Sequence, residues 1–145
     1  LECRIIFLDH LSILLSGLDG DERRMIDTTM TKLRSLTERT GIALFLVSHL
    51  RRSNNDRATH EEGGRVSLSQ LRGSHSIAQL SDQVIALERD QQAETERDIT
   101  TLRIIKNRYS GETGYAGKIK FNLETSRFTE YETTEPPIFN ASTDF

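Results

Sequence analysis

Two apolar runs, each ending at a polar side chain, constrain this chain more than any other feature. The first, IIFLDHLSIL at residues 5–14, is broken by Asp9; the second, IALFLVSH at residues 42–49, stops at His49. A β-type run that is apolar at consecutive rather than alternate positions is expected to be covered on both faces, as in a parallel sheet. In such sheets ligands gather beyond the carboxyl ends of the strands. Asp9 and His49 fall at those ends, so the pattern predicts an α/β fold whose strand tips present one carboxylate and one imidazole.

A carboxylate held rigidly at a strand end suits a magnesium ion bound largely through water, as nucleoside triphosphatases require. The same position also serves as the cap of a following helix or for unrelated acid chemistry. On Asp9 alone both readings stand.

With 145 residues the chain has the size of one domain and enough length to bury a core. It starts at Leu1 and enters a strand almost at once, which raises the expectation that an N-terminal portion precedes it. The lone cysteine, Cys3, cannot close an internal disulfide, and the longest apolar run, Ile42 to Val47, is far too short to cross a bilayer. A reducing, intracellular compartment is therefore expected, without membrane attachment. The formal net charge of −3 argues against a uniformly basic nucleic-acid binder, but the charges are unevenly placed. Arg51, Arg52, Arg57, Arg65 and Arg72 cluster in the middle, whereas the last sixteen residues hold Glu130, Glu132, Glu135 and Asp144 with no basic residue.

Between the two runs, Met25, Thr29, Leu33 and Leu36 recur at helical spacing from Asp21 to Thr40, and Gly41 stands where a helix should stop. Strand, helix and strand predict a βαβ unit. Residues 50–65 are polar and aperiodic, a long surface loop. A short helix is expected near residues 74–81, then a strand over VIALER at 84–89. DITTLRIIKNR (98–108) and YAGKIKFNLE (115–124) read as two strands of a hairpin turned at SGETG. Past Phe128, Pro136, Pro137 and the acidic residues predict a disordered tail over 129–145.

One apparent phosphate loop is rejected. Gly111-Glu112-Thr113-Gly114-Tyr115-Ala116-Gly117-Lys118 spaces its glycines one residue too widely, follows lysine with Ile119 in place of Ser or Thr, and lies in a hairpin. His10, His49, His60 and His75 form no zinc-like spacing.

In order and spacing, IIFLDH, LFLVSHLRR, SLSQLRGSHSIAQLSDQVIALERDQQ and RIIKNRYSGETGYAGKIKFN resemble the ring-shaped, DnaB-like replicative helicases of superfamily 4, with a RecA-type P-loop ATPase core. The resemblance is strongest to the primase-helicases of T-seven-like bacteriophages and runs over residues 1–128. It implies a mostly parallel sheet with a C-terminal β-hairpin, and a chain that lacks the Walker A strand and loop together with the catalytic glutamate. By this resemblance Asp9 is the Walker B carboxylate and magnesium ligand, His49 the γ-phosphate sensor, and Gln79 a second polar sensor. Arg108 corresponds to an arginine finger reaching the adjacent subunit, accompanied by Lys106. Arg89 and Phe121 bracket the nucleotide base; read alone, Phe121 is equally ordinary core. Arg51, Arg52, Asn54, Asn55 and Arg57, with Arg72 and Gly73, correspond to the two DNA-binding loops. The first differs from the family in carrying arginine for lysine and about one extra residue. Without the resemblance, these residues read as solvated polar loops.

The implied activity is NTP-dependent 5′–3′ unwinding of DNA by the full-length protein, with Mg2+ and ATP or dTTP as cofactors. Single-stranded DNA and a homo-oligomeric ring, hexamer or heptamer, are implied partners. The cytoplasm of a phage-infected bacterial cell is the implied location. The chain by itself is expected to be inactive, and to expose strand edges prone to aggregation. The terminal Thr143-Asp144-Phe145 resembles the family's acidic tail, implying that Phe145 docks a replicative polymerase; a merely solubilising tail is the alternative. A noncatalytic module that binds single strands and docks a polymerase is the competing function. RecA-type recombinases and circadian-clock ATPases fit the RGSHSIAQLSD and RIIKNRYSGETG segments less well.

Overall fold

The computed structural model describes residues 3–16, 20–51, 59–71 and 75–132. The chain divides into two compact units, the first built from Leu1–Arg51 with Ser69–Ser81 and the second from Arg52–Leu68 with Asp82–Phe145.

In the first unit, β1 (Ile5–Leu8) and β2 (Ala43–Leu46) pair in parallel with the register Ile5↔Ala43 to Leu8↔Leu46. The helix α2 (Glu22–Thr40) connects them, completing the βαβ unit predicted from the sequence. Its ends are chemically determined. The Asp21 carboxylate accepts from the Arg23 and Arg24 N–H groups at 2.8 and 3.3 Å, satisfying donors that a helix start leaves open. At the other end Gly41 adopts φ 68°, a left-handed conformation that only glycine enters without penalty, and returns its N–H to Thr37.

The buried side of α2 is set by Ile26 and Met30 rather than by the Met25–Thr29–Leu33–Leu36 stripe. Met25 and Thr29 flank the core, and Leu36 is exposed. The reason is geometric: 26, 30, 33 and 37 also follow helical spacing, and Ile26 and Met30 bring more apolar volume to the centre of that face. A short helix, α1 (Leu11–Leu15), occupies part of the first apolar run and buries Leu11 and Leu15. The helix α3 (His75–Leu80) packs against α2 and buries Ile77.

Coverage of β1 and β2 on both faces does not hold within the described residues. Ile6, Leu8, Leu44 and Leu46 are half-buried, while Ile5, Phe7, Phe45 and Val47 on the opposite face are exposed, Phe7 by 75%. Phe7 and Phe45 stack on that open face with ring centroids 4.8 Å apart. Their hydrophobicity matches a covered strand, but the described chain lays no element over them.

A backbone clasp follows β2. Leu50 and Leu71 form an antiparallel bridge, and the Arg51 N–H donates to the Gln70 carbonyl at 2.7 Å, so the two ends of the arginine-rich segment meet.

The second unit is a four-stranded antiparallel sheet in the order β3 (Gln83–Glu88), β4 (Ile99–Asn107), β5 (Gly114–Asn122) and β6 (Arg127–Tyr131). The expected hairpin is its centre. Gly117, at φ 141°, lies where the β4–β5 register shifts between Leu102 and Arg103, so this glycine shapes a bulge rather than a phosphate loop. β6 pairs with β5 and carries the strand pattern to Tyr131, beyond Phe128. Inside the sheet, Glu88, with only 5% of its side chain exposed, accepts from Arg103 at 3.0 Å and from the Val66 N–H at 2.9 Å. A buried carboxylate is tolerable because it is both paired and hydrogen-bonded. No helix of the described residues is long and apolar enough to cross a membrane.

Candidate functional site

At the carboxyl ends of β1 and β2 the backbone is stitched across. The Val47 N–H donates to the Leu8 carbonyl at 2.9 Å, and the Leu11 N–H donates to the Val47 carbonyl at 3.0 Å. These bonds extend the parallel pairing past the strands and hold the segment after β1 beside the segment after β2. Asp9 is the first residue beyond β1 and is exposed; its peptide bond to His10 is cis. His49 is exposed at the end of the second run. The rings of His10 and His49 lie against one another, centroids 4.1 Å apart and planes tilted by 38°. Both strand tips therefore present polar groups to the same end of the parallel pair.

Whether Asp9 can serve as a metal ligand depends on the donors around it. Among the described residues no three His, Cys, Asp or Glu side chains gather into a metal-binding group. A single exposed carboxylate is nevertheless the donor set magnesium accepts, because that ion keeps several waters and takes one or two carboxylates with phosphate oxygens. Asp9 fits that role.

Gln79 is exposed on α3, whose buried face is held by Ile77. Arg51 is exposed, at the clasp that follows His49. Arg52, Asn54, Asn55, Arg57, Arg72, Gly73 and Phe145 lie outside the described residues.

In the second unit, Lys106 sits on β4 opposite Val84, and Arg108 lies one residue past the strand. The strand assignment alone therefore does not fix the Arg108 side chain. Two other devices place Arg108. Its N–H donates to the Asp82 carbonyl at 2.8 Å, and its guanidinium meets the Asp82 carboxylate at 3.3 Å. The preceding residue, buried Asn107, caps the turn: its Oδ1 accepts from the Tyr109 N–H at 3.0 Å and its Nδ2 donates to Ser110 Oγ at 2.8 Å.

Arg89 and Phe121 are anchored to consecutive residues. Arg89 Nε donates to the Arg97 carbonyl at 2.6 Å, and the Phe121 N–H donates to the Asp98 carbonyl at 2.8 Å. Phe121 is half-buried, and its ring meets Phe128 across the β5–β6 pair with centroids 5.0 Å apart. An open groove on this sheet, lined by Leu102, Tyr115, Lys118, Phe128, Glu130 and Tyr131 among others, contains none of the expected site residues.

Three contributors escaped sequence reasoning: His10, Asp82 and Asn107. His10 carried a faint signal, since histidine is an unusual choice at the start of a helix. Asn107 carried a local signal too, an Asn ahead of a Ser and Gly turn, whereas the contact of Asp82 with Arg108 spans 26 residues and has no local trace.

This architecture is that of a RecA-like ATPase domain. It overlays one solved ATPase domain with a TM-score of 0.67 at 23% identity, covering 88% of this chain and 44% of that one. It overlays a DnaB-like replicative helicase, solved in a study of its interactions with primase, with a TM-score of 0.71 at 23% identity, covering 88% of this chain and 30% of the other. The chain belongs to the DnaB-like helicase C terminal domain family, whose profile matches residues 1–130. It is 45% identical over 126 residues to the DNA helicase/primase of Enterobacteria phage T3, an alignment spanning 86% of this chain and 22% of that relative.

Proposed function

We propose that this chain is the C-terminal part of the ATPase domain of a phage replicative DNA helicase. The whole protein couples nucleoside triphosphate hydrolysis to 5′–3′ translocation on single-stranded DNA and to strand separation, in the cytoplasm of the infected cell. Membership of the DnaB-like family and the likeness to the phage T3 helicase/primase support this reading. The observation that carries it is the stitched pair of strand tips, with Asp9 and His10 following one strand and His49 the other. The noncatalytic alternative has no comparable support.

In this reading Asp9 holds magnesium, which when bound neutralises charge on the phosphate oxygens of ATP or dTTP. His49 faces the terminal phosphate, and Gln79 supplies an amide able both to donate and to accept. Arg108, with Lys106, reaches the triphosphate of the adjacent subunit in a hexameric or heptameric ring, where a guanidinium fork stabilises equatorial oxygens. Arg89 and Phe121 flank the base. Arg51, Arg52, Asn54, Asn55 and Arg57, together with Arg72 and Gly73, hold single-stranded DNA through its phosphates without reading sequence. Phe145 and the acidic residues before it dock a replicative polymerase. The polypeptide alone is inactive, because it contains no Walker A loop.

The deciding experiment is Arg108→Ala in the full-length protein. Hydrolysis is expected to fall on the order of a thousandfold or more while nucleotide binding by the ring is largely retained. Turnover at the parent rate would reject the finger assignment.

A further inference from the structure

His10 sits at the N-cap of α1, where Ser, Thr, Asp or Asn would ordinarily accept from a free helical N–H. Its backbone plays its part, with φ −124° and ψ 170° and its carbonyl accepting from Ile13 at 3.0 Å, but its side chain makes no capping bond. Its Nδ1 is buried and has no hydrogen-bond partner among the described residues. The imidazole therefore serves neither the cap nor a hydrogen-bond network that the described residues supply. What it does contact is the ring of His49, at 4.1 Å between centroids.

That contact matters because of how a histidine moves. The final torsion of its side chain is broad, so an exposed imidazole at a strand tip samples many ring orientations unless a neighbour packs against its face. His49 is exposed, and the ring of His10 packs against it at a tilt of 38°. The backbone under both rings is tied by the Val47–Leu8 and Leu11–Val47 bonds, which hold the two segments in one register. The pair thus sets one exposed imidazole, His49, against a less exposed one, His10, on a hydrogen-bonded backbone.

We propose that His10 is a positioning residue for His49, its ring face holding the sensor imidazole in the orientation from which it meets the terminal phosphate. The proposal rests on the assignment of His49 as sensor, and it deepens that assignment by naming what orients it. His10 touches no substrate in this role. Its contribution is the shape of its ring, so another flat ring of similar size should replace it.

The test uses the full-length, ring-forming protein and compares His10→Ala, His10→Phe, His49→Ala and the His10→Ala/His49→Ala double variant. The readouts are kcat and KM for the triphosphate with and without single-stranded DNA. His10→Ala is expected to lower DNA-stimulated kcat about three- to tenfold, the range an aromatic contact commands, with KM nearly unchanged. His10→Phe is expected to restore most of that loss. The double variant should be no worse than His49→Ala, because the ring of His10 acts only through His49. If His49→Ala is impaired but His10→Ala is not, the positioning role is overturned and the sensor assignment survives. His10→Phe as impaired as His10→Ala overturns it too, since a hydrogen bond rather than the ring face would then be at work. Full coupled turnover in His49→Ala overturns the sensor assignment itself, and the proposal with it.

Discussion

Arg108 is tied to Asp82 twice, once through its own backbone N–H at 2.8 Å and once through its guanidinium at 3.3 Å. The two ties differ in strength. The backbone bond fixes where the side chain starts, whereas the ion pair joins two partly exposed groups and is screened by water. A guanidinium held this way is parked rather than locked, as the proposed reach to another subunit would require. Asp82→Asn is expected to change the unfolding free energy by less than about 1 kcal/mol, read from urea midpoints of the full-length protein. A much larger loss would make the pair a structural fixture and count against a guanidinium that moves.

The buried pair inside the second sheet should behave in the opposite way. Arg103→Met leaves the Glu88 carboxylate buried with only the Val66 N–H among the contacts described above, and is expected to cost about 3 kcal/mol or more. Glu88→Gln with Arg103→Met together should recover part of that loss, because the uncompensated charge is gone. Equal destabilisation in the single and double variants, measured by denaturant unfolding, would contradict this account.

The helix ends yield a separable pair of effects. Asp21→Ala removes the acceptor for two N–H groups and is expected to cost about 1 kcal/mol. Gly41→Ala forces a Cβ into φ 68° and is expected to cost a similar amount, although nothing stands within 4 Å of the added atom. Because the two sites lie at opposite ends of α2, the effects should add in the double variant; strong non-additivity would mean that the helix frays as one unit.

Glu62 accepts from the Thr59 N–H at 2.8 Å and from its hydroxyl at 2.9 Å, and these bonds, the backbone one first, hold its carboxyl below the ordinary glutamate range against a small opposing effect of burial. A lowered folded value means that the stabilisation is complete above the unfolded glutamate range and is lost as pH falls through the folded value. The turn at residues 59–62 should therefore loosen only in acid. Thr59→Val removes the hydroxyl and keeps the N–H, so the Glu62 titration followed by NMR should move part of the way back up. An unmoved titration would show that the hydroxyl bond contributes nothing.

Much of the architecture was legible because local signals agreed. Asp21, a helical period and Gly41 bracket α2, and polar punctuation separates β4 from β5. The short helix α1 was not legible, since LSILL is apolar but for Ser12 and a run of that length carries no period that separates strand from helix. The open face of β1 and β2 was hidden for a different reason: Ile5, Phe7, Phe45 and Val47 have the composition of covered strand, and composition cannot say whether the covering element is at hand.

The site divides along the same line. Asp9 and His49 announce themselves as polar breaks in apolar runs. The contact of His10 with His49 depends on the register that sets Leu8 beside Leu46, a tertiary fact with no local trace. The common anchoring of Arg89 and Phe121 at Arg97 and Asp98 is equally a product of the sheet's return path.

The Leu50–Leu71 clasp bears on how far the segment it closes can vary in length. Once the two feet of a segment are fastened to each other, the entropy of closing it depends only logarithmically on how many residues it holds, so even doubling its length costs roughly 0.6 kcal/mol. Changes of length between the feet are thus expected to cost little in closure entropy, provided that they leave in place the Glu62–Asp90 bridge and the bond from the Val66 N–H to Glu88.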